Sequence, residues 1–251
     1  MGYGRFLAAM LLLPLLAWTP PVMAGDSFTP QQHKELEGII HDYLVNHPDV
    51  MLDALQAAED KMKSESKDKA AQALKSRRNE VLNDPDSPVA GNPQGDVTLV
   101  EFFDYRCPYC KQVEPAIESL LGEDRKLRFV YKEFPVLGPD SVTAARVALA
   151  ARKQGKYDAF HRQMMALKGQ INDSAIFGVA SSVGLDVDRV KRDMAAPEIG
   201  RMLKNNLDLA EALDIKGTPG FVIGSEIVPG AIDLASLKEM IAEARQQKAP
   251  Q

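Results

Sequence analysis

The stretch that decides the fold is Phe102-Phe103-Asp104-Tyr105-Arg106-Cys107-Pro108-Tyr109-Cys110. It follows Val97-Thr98-Leu99-Val100-Glu101, and together these residues read as a buried, β-rich strand running straight into a helix that opens at the cysteines. Cys107 and Cys110 are the only 2 cysteines in 251 residues. A disulfide across two intervening residues closes almost no loop, so it would do little to constrain the unfolded chain. Reactivity is the better reason for the pair. The thiolate is the attacking species in disulfide exchange, and the first N–H groups and the dipole of a helix favour an anion at its start. Pro108 falls where a missing N–H costs nothing. Cys107 is therefore the candidate nucleophile, and Cys110, about one turn on, the resolving thiol.

Working outward, Leu127–Tyr131 reads as a second strand, and a long helical stretch follows over about 139–213. Phe221-Val222-Ile223 and Glu226-Ile227-Val228 flank a Gly224-Ser225 hairpin turn, and a last helix covers Leu234–Gln246. The order is strand–helix–strand, helical insert, strand–strand–helix, an α/β thioredoxin-like arrangement whose first crossover is a right-handed βαβ unit. This domain spans 97–247. Residues 83–96, with Asn83-Asp84-Pro85 and Gly91-Asn92-Pro93, read as a linker.

Residues 28–82 read as a helical arm. Thr29-Pro30 caps its first helix, Leu36, Ile39, Ile40, Tyr43 and Leu44 follow a helical period, and Pro48 starts a second helix. From Lys61 to Glu80 the chain is too polar to expect burial, and reads as an extended stalk. At the N-terminus, Arg5, the apolar run Phe6–Trp18 and Val22-Met23-Ala24 read as a signal peptide, residues 1–24, cut after Ala24. The run is shorter than the ~20 residues a spanning helix needs and contains Pro14. The formal charge of −5 leaves no basic footprint for nucleic acid.

A C-x-x-C is also half a zinc site, but a second pair is missing. Of the four histidines, His33, His41 and His47 fall in the arm and His161 in the insert, so no metal is expected unless a second subunit contributes ligands.

The quoted stretch resembles the active-site strand and helix start of the DsbA family. Gly217-Thr218-Pro219 before Phe221-Val222-Ile223 resembles that family's cis-proline loop. The arm, with Asn46-His47-Pro48-Asp49-Val50, is similar to that of the suppressor-of-copper-sensitivity C (ScsC) proteins and their Com1-like relatives, some of which use it to oligomerise. The resemblance implies a thioredoxin fold with a helical insert and an exported, periplasmic protein thiol–disulfide oxidoreductase without a cofactor. Its partners would be unfolded or misbonded exported proteins and a membrane redox partner, and it would form a homodimer or homotrimer. It also implies a cis bond at Thr218-Pro219 that presents substrate backbone beside Cys107, although most X-Pro bonds are trans. Glu101 matches the family's buried acid, placed to shuttle the proton of Cys110; the plainer reading is a solvated edge carboxylate. Lys132 is expected to face Glu101 from the neighbouring strand.

Tyr109 departs from the strongly oxidising members, which often carry His there, and it removes a charge that would stabilise the Cys107 thiolate. Pro108, Tyr109 and Thr218 remain the residues expected to meet substrate. Direction of electron flow stays open between an oligomeric isomerase and a simple dithiol oxidase. A non-enzymatic copper-binding or chaperone protein is the rival from another class.

Overall fold

The computed structural model describes residues 28–248. The signal-peptide reading of residues 1–24 lies outside them. The chain divides between Ala58 and Glu59 into two compact units.

The first unit holds helix α1 (Pro30–Asn46) and the start of α2 (Pro48–Ser76). Thr29 caps α1 with a reciprocal pair, its hydroxyl accepting from the Gln32 N–H while the Gln32 side chain accepts from the Thr29 N–H at 2.9 Å. Such a box satisfies two helix-end donors at once. α1 buries no residue, and Ile39, Ile40, Tyr43, Leu52 and Leu55 are all exposed.

The second unit is built on a five-stranded sheet in the order β1-β3-β2-β4-β5. Its strands are β1 (Val89–Gly91), β2 (Val97–Phe103), β3 (Leu127–Glu133), β4 (Gly220–Ile223) and β5 (Glu226–Pro229). β2 and β3 run parallel, with α4 (Pro108–Glu123) as the crossover, while β4 and β5 form an antiparallel hairpin beside β2. β2 and β3 are apolar on both faces because both faces are covered. On one side Leu99, Phe103, Phe129 and Tyr131 pack with α4, the insert and α10 (Leu234–Lys248). On the other, Val100, Phe102, Val130 and Val222 pack against Leu74, Val81, Leu82, Leu209 and Leu213.

The insert is five helices, α5 (Pro139–Arg152), α6 (Tyr157–Ala166), α7 (Asp173–Ser182), α8 (Val187–Asp193) and α9 (Pro197–Ala212). α8 is too short and charged to show a helical period in the sequence. α5 is buried along most of its length through alanines, small enough to let its neighbours approach closely.

Two expectations change. The polar stretch 61–80 is not a free stalk at its C-terminal end. Ala70 and Leu74, four apart on α2, are buried, as are Val81 and Leu82 of the short α3 (Arg78–Leu82). These few anchors suffice because they seal the second face of the sheet, while the charged side chains of the stretch up to Lys75 stay exposed. The stretch read as a linker also contributes structure. β1 pairs antiparallel with β3, and Asn92 N–H donates to the Leu127 carbonyl at 2.8 Å. Gly91 allows this turn, with φ +70° and only 2.5 Å from the place of a Cβ to the Leu127 oxygen.

Candidate active site

Cys107 is the N-cap of α4 and Pro108 its first helical residue. The turn that delivers it is organised by Asp104, which is buried at the end of β2. One Asp104 oxygen accepts from the Arg106 N–H (2.8 Å) and the Ser141 hydroxyl (2.7 Å); the other accepts from the N–H groups of Val136 (2.9 Å) and Leu137 (3.0 Å). The Cys107 N–H donates to the Asp104 carbonyl at 3.0 Å. A single carboxylate thus ties the strand end, the loop after β3 and the start of α5 to the cysteine turn.

Both cysteines are free thiols. Cys107 is 3% exposed and Cys110 is fully buried, whereas Tyr109 between them is 59% exposed. The Thr218-Pro219 bond is cis, and the Cys107 thiol donates to the Thr218 carbonyl at 3.2 Å. The structure therefore brings Cys107, Cys110, Pro108, Tyr109, Thr218 and Pro219 to one place.

Glu101 lies behind the motif on β2, fully buried, with neither carboxylate oxygen hydrogen-bonded. Burial holds its pKa well above the usual carboxylate range, and the nearby Glu114, Cys107 and Glu133 push the same way. Burial also drives the Cys110 thiol up, and the Glu101 charge adds to it. Both shifts favour the neutral, protonated form of each group. The solvated-carboxylate alternative for Glu101 does not hold.

Lys132 does not face Glu101. Glu101 pairs across the parallel ladder with Tyr131, and Lys132 with Phe102, so their side chains emerge on opposite faces of the sheet. The Lys132 ammonium instead donates to the Glu80 carbonyl (2.8 Å) and to Asp84 (2.9 Å), which fastens α3 and the following turn to the sheet. A one-residue offset in register was enough to reverse the expectation.

Three further buried groups share the face of Glu101. Glu114, four residues after Cys110, lies on the same side of α4. Glu133, two residues beyond Tyr131 on β3, accepts from the hydroxyls of Tyr105 (3.1 Å) and Tyr157 (2.8 Å). His161 of α6 contacts Tyr105 through Nδ1 at 3.2 Å. Helical and strand periods place Glu114 and Glu133 once the motif is fixed; nothing in the spacing of His161 announces it.

A parallel βαβ unit, an antiparallel hairpin and paired cysteines at a helix start beside a cis-proline loop define a thioredoxin-like fold. Within that class, the chain belongs to the DsbA-like thioredoxin domain family, whose model matches residues 98–242. The model for the copper resistance protein ScsC N-terminal domain matches residues 32–65. The solved thioredoxin-like oxidoreductase from Silicibacter pomeroyi DSS-3 is 45% identical, with a TM-score of 0.66, over 67% of this chain and 98% of that one. A periplasmic thioredoxin-like protein from Salmonella enterica serovar Typhimurium is 30% identical, with a TM-score of 0.63, over 67% of this chain and 95% of that one. Among curated proteins, the Na(+)/H(+) antiporter NhaA 1 of Salinispora arenicola (strain CNS-205) is 30% identical over 164 residues, 64% of this chain but 25% of that protein. The chain thus spans about a quarter of the length of the curated relatives it matches. Among the described residues no helix is long and apolar enough to cross a membrane.

Proposed function

We propose that the chain is an exported, periplasmic enzyme that exchanges disulfides with unfolded or misbonded protein thiols through Cys107 and Cys110. The observation that carries this reading is the Cys107 thiol at the start of α4, 3.2 Å from the Thr218 carbonyl, with Cys110 buried behind it and no other cysteine in the chain.

In the oxidising direction a substrate thiolate forms a bond to Cys107 Sγ, the Cys107–Cys110 bond breaks, and its electron pair leaves on Cys110. Glu101 gives that sulfur a proton, a role its partnerless burial suits because burial favours the protonated acid. A second substrate thiolate then attacks the substrate sulfur of the mixed disulfide, and Cys107 leaves. Reduction and isomerisation run through the same mixed disulfide. Thr218 and Pro219 line the approach, and the exposed Tyr109 ring offers apolar contact to a passing chain. A membrane redox partner resets the pair.

The arm joins copies into a dimer or trimer. Its exposed Ile39, Ile40, Tyr43, Leu52 and Leu55 support that, since a helix with apolar residues in water gains by burying them against another. Linked sites raise the effective concentration of a second thiol pair near one substrate, which favours isomerisation over single-site oxidation.

The test is trapping. Cys110→Ser mixed with a reducible, misbonded protein should accumulate a mixed disulfide at Cys107; absence of any adduct would reject the reading. Equilibration of the Cys107–Cys110 pair with glutathione then gives the direction of electron flow, tenfold in the equilibrium constant being ~30 mV.

A further inference from the structure

Building on the exchange reaction proposed above, we infer that the open cavity beside Pro108 takes an acidic side chain of the substrate protein. The enzyme then favours substrate cysteines that have an aspartate or glutamate close by in sequence.

Residues on both sides of Cys107 line this cavity, Arg106 before it and Pro108 after it. Its volume is about 710 Å³, within the range that holds a small ligand. Lys111 of α4 contributes to it, as do Asp140 of α5 and Leu167 and Lys168 of the loop between α6 and α7. Three cationic side chains thus meet one acid, in a chain whose formal charge is −5. The local excess is opposite in sign to that of the whole molecule, and it favours an anionic partner over a cationic one.

The three cations differ in what they offer. The Lys111 ammonium donates to the carbonyls of Met164 (2.7 Å), Met165 (3.1 Å) and Leu167 (2.9 Å). That uses all three of its N–H groups. Lys111 therefore fastens the α6–α7 loop to the helix of the cysteines and adds charge, but no free donor. Arg106 gives one guanidinium N–H to the Leu137 carbonyl, and its other N–H groups have no partner among the described residues. Lys168 is exposed, and its ammonium likewise has no partner among the described residues. Arg106 and Lys168 are the donors left for a carboxylate, and the first of them adjoins the reacting sulfur.

The test uses the full chain with its Cys107–Cys110 disulfide formed and short peptides that each carry one cysteine. Asp, Asn or Lys stands three residues before or after that cysteine. A peptide thiolate bonds to Cys107 Sγ as Cys110 leaves; a second peptide thiolate then attacks the peptide sulfur, giving a peptide disulfide and the reduced enzyme. Rates are compared between wild type and Lys168→Glu on the same peptide, so each peptide's own thiol reactivity cancels. The ratio of Asp-peptide to Asn-peptide rates should fall by about fivefold in Lys168→Glu, the scale of an exposed ion pair replaced by a like charge. Lys168→Gln should give a smaller fall. Lys126→Glu changes the overall charge equally but lies before β3, at the end of the parallel strand pair away from Cys107, and should leave the ratio unchanged. An unchanged ratio in Lys168→Glu, or an equal fall in Lys126→Glu, would overturn the inference while leaving disulfide exchange intact. A wild-type chain that exchanges with none of the peptides would instead overturn the proposed function.

Discussion

At the scale of single residues, Glu101 and Lys132, buried on opposite faces of the sheet, have opposite consequences. Glu101 holds its proton in the folded protein well above the ordinary value of 4.5. Between that value and its folded pKa the unfolded chain has already released the proton, so folding stability falls as pH rises through this window. Glu101→Gln removes the effect. Urea unfolding should show the variant more stable than wild type by about 1–3 kcal/mol at pH 8, the cost of an unsatisfied buried polar group. The two should be nearly equal at pH 4, and a pH-independent difference would argue against a protonated Glu101. The same variant should slow release of Cys110 from the disulfide by roughly 100-fold or more, the usual worth of a placed proton donor. Lys132 belongs to the other face. Its side chain is 1% exposed and that of its partner Asp84 26%, so Lys132→Ala should cost about 3 kcal/mol, the low end for breaking a buried pair. Thiol exchange should be unchanged, which would not hold if Lys132 served Glu101. The sequence does not reveal this difference, because an acid on one strand and a lysine on the next look complementary until the register is known.

Elements show why the motif was legible and its support was not. A β-rich run ending in cysteines at a helix start is a local signal, and β2, α4 and the β4–β5 hairpin could be read from it directly. The hidden parts depend on contacts far along the chain. Asp104 stands inside the quoted motif, yet its partners Val136, Leu137 and Ser141 lie more than thirty residues on. β1 hides in a proline-rich turn region because three residues carry no pattern, and its pairing with β3 supplies the reason for the strand. The polar part of α2 shows the same limit, since Ala70 and Leu74 read as sparse until the sheet face they cover is known. For this level the sharpest substitution is Asp104→Ala. It strands four donors that now share one carboxylate, so we expect a loss of at least about 3 kcal/mol in urea unfolding. Alkylation of Cys107 should change in rate as its turn loosens. An unchanged stability would mean the junction is held by packing alone.

For the whole molecule, the division between Ala58 and Glu59 matters for separating the arm from the redox unit. A cut near Asn92 would remove β1 and uncover Val100, Phe102 and Val130, because Leu74, Val81 and Leu82 pack on that face. A chain beginning at Glu59 keeps those contacts. Light scattering should give a dimeric or trimeric mass for the chain from Gly25 and a monomeric mass for the chain from Glu59, with disulfide exchange retained in the shorter form. Equal monomeric masses would remove the arm's role in association. The paired cysteines are joined to a buried acid on one sheet face and to the Thr218-Pro219 loop. The most direct measurement is the rate at which full-length protein exchanges disulfides with a misbonded model substrate at pH 7, wild type against Cys107→Ser. The variant should lose exchange to background, because Cys110 alone is buried and its thiol is held protonated. A variant that still oxidised, reduced or rearranged the substrate would contradict it.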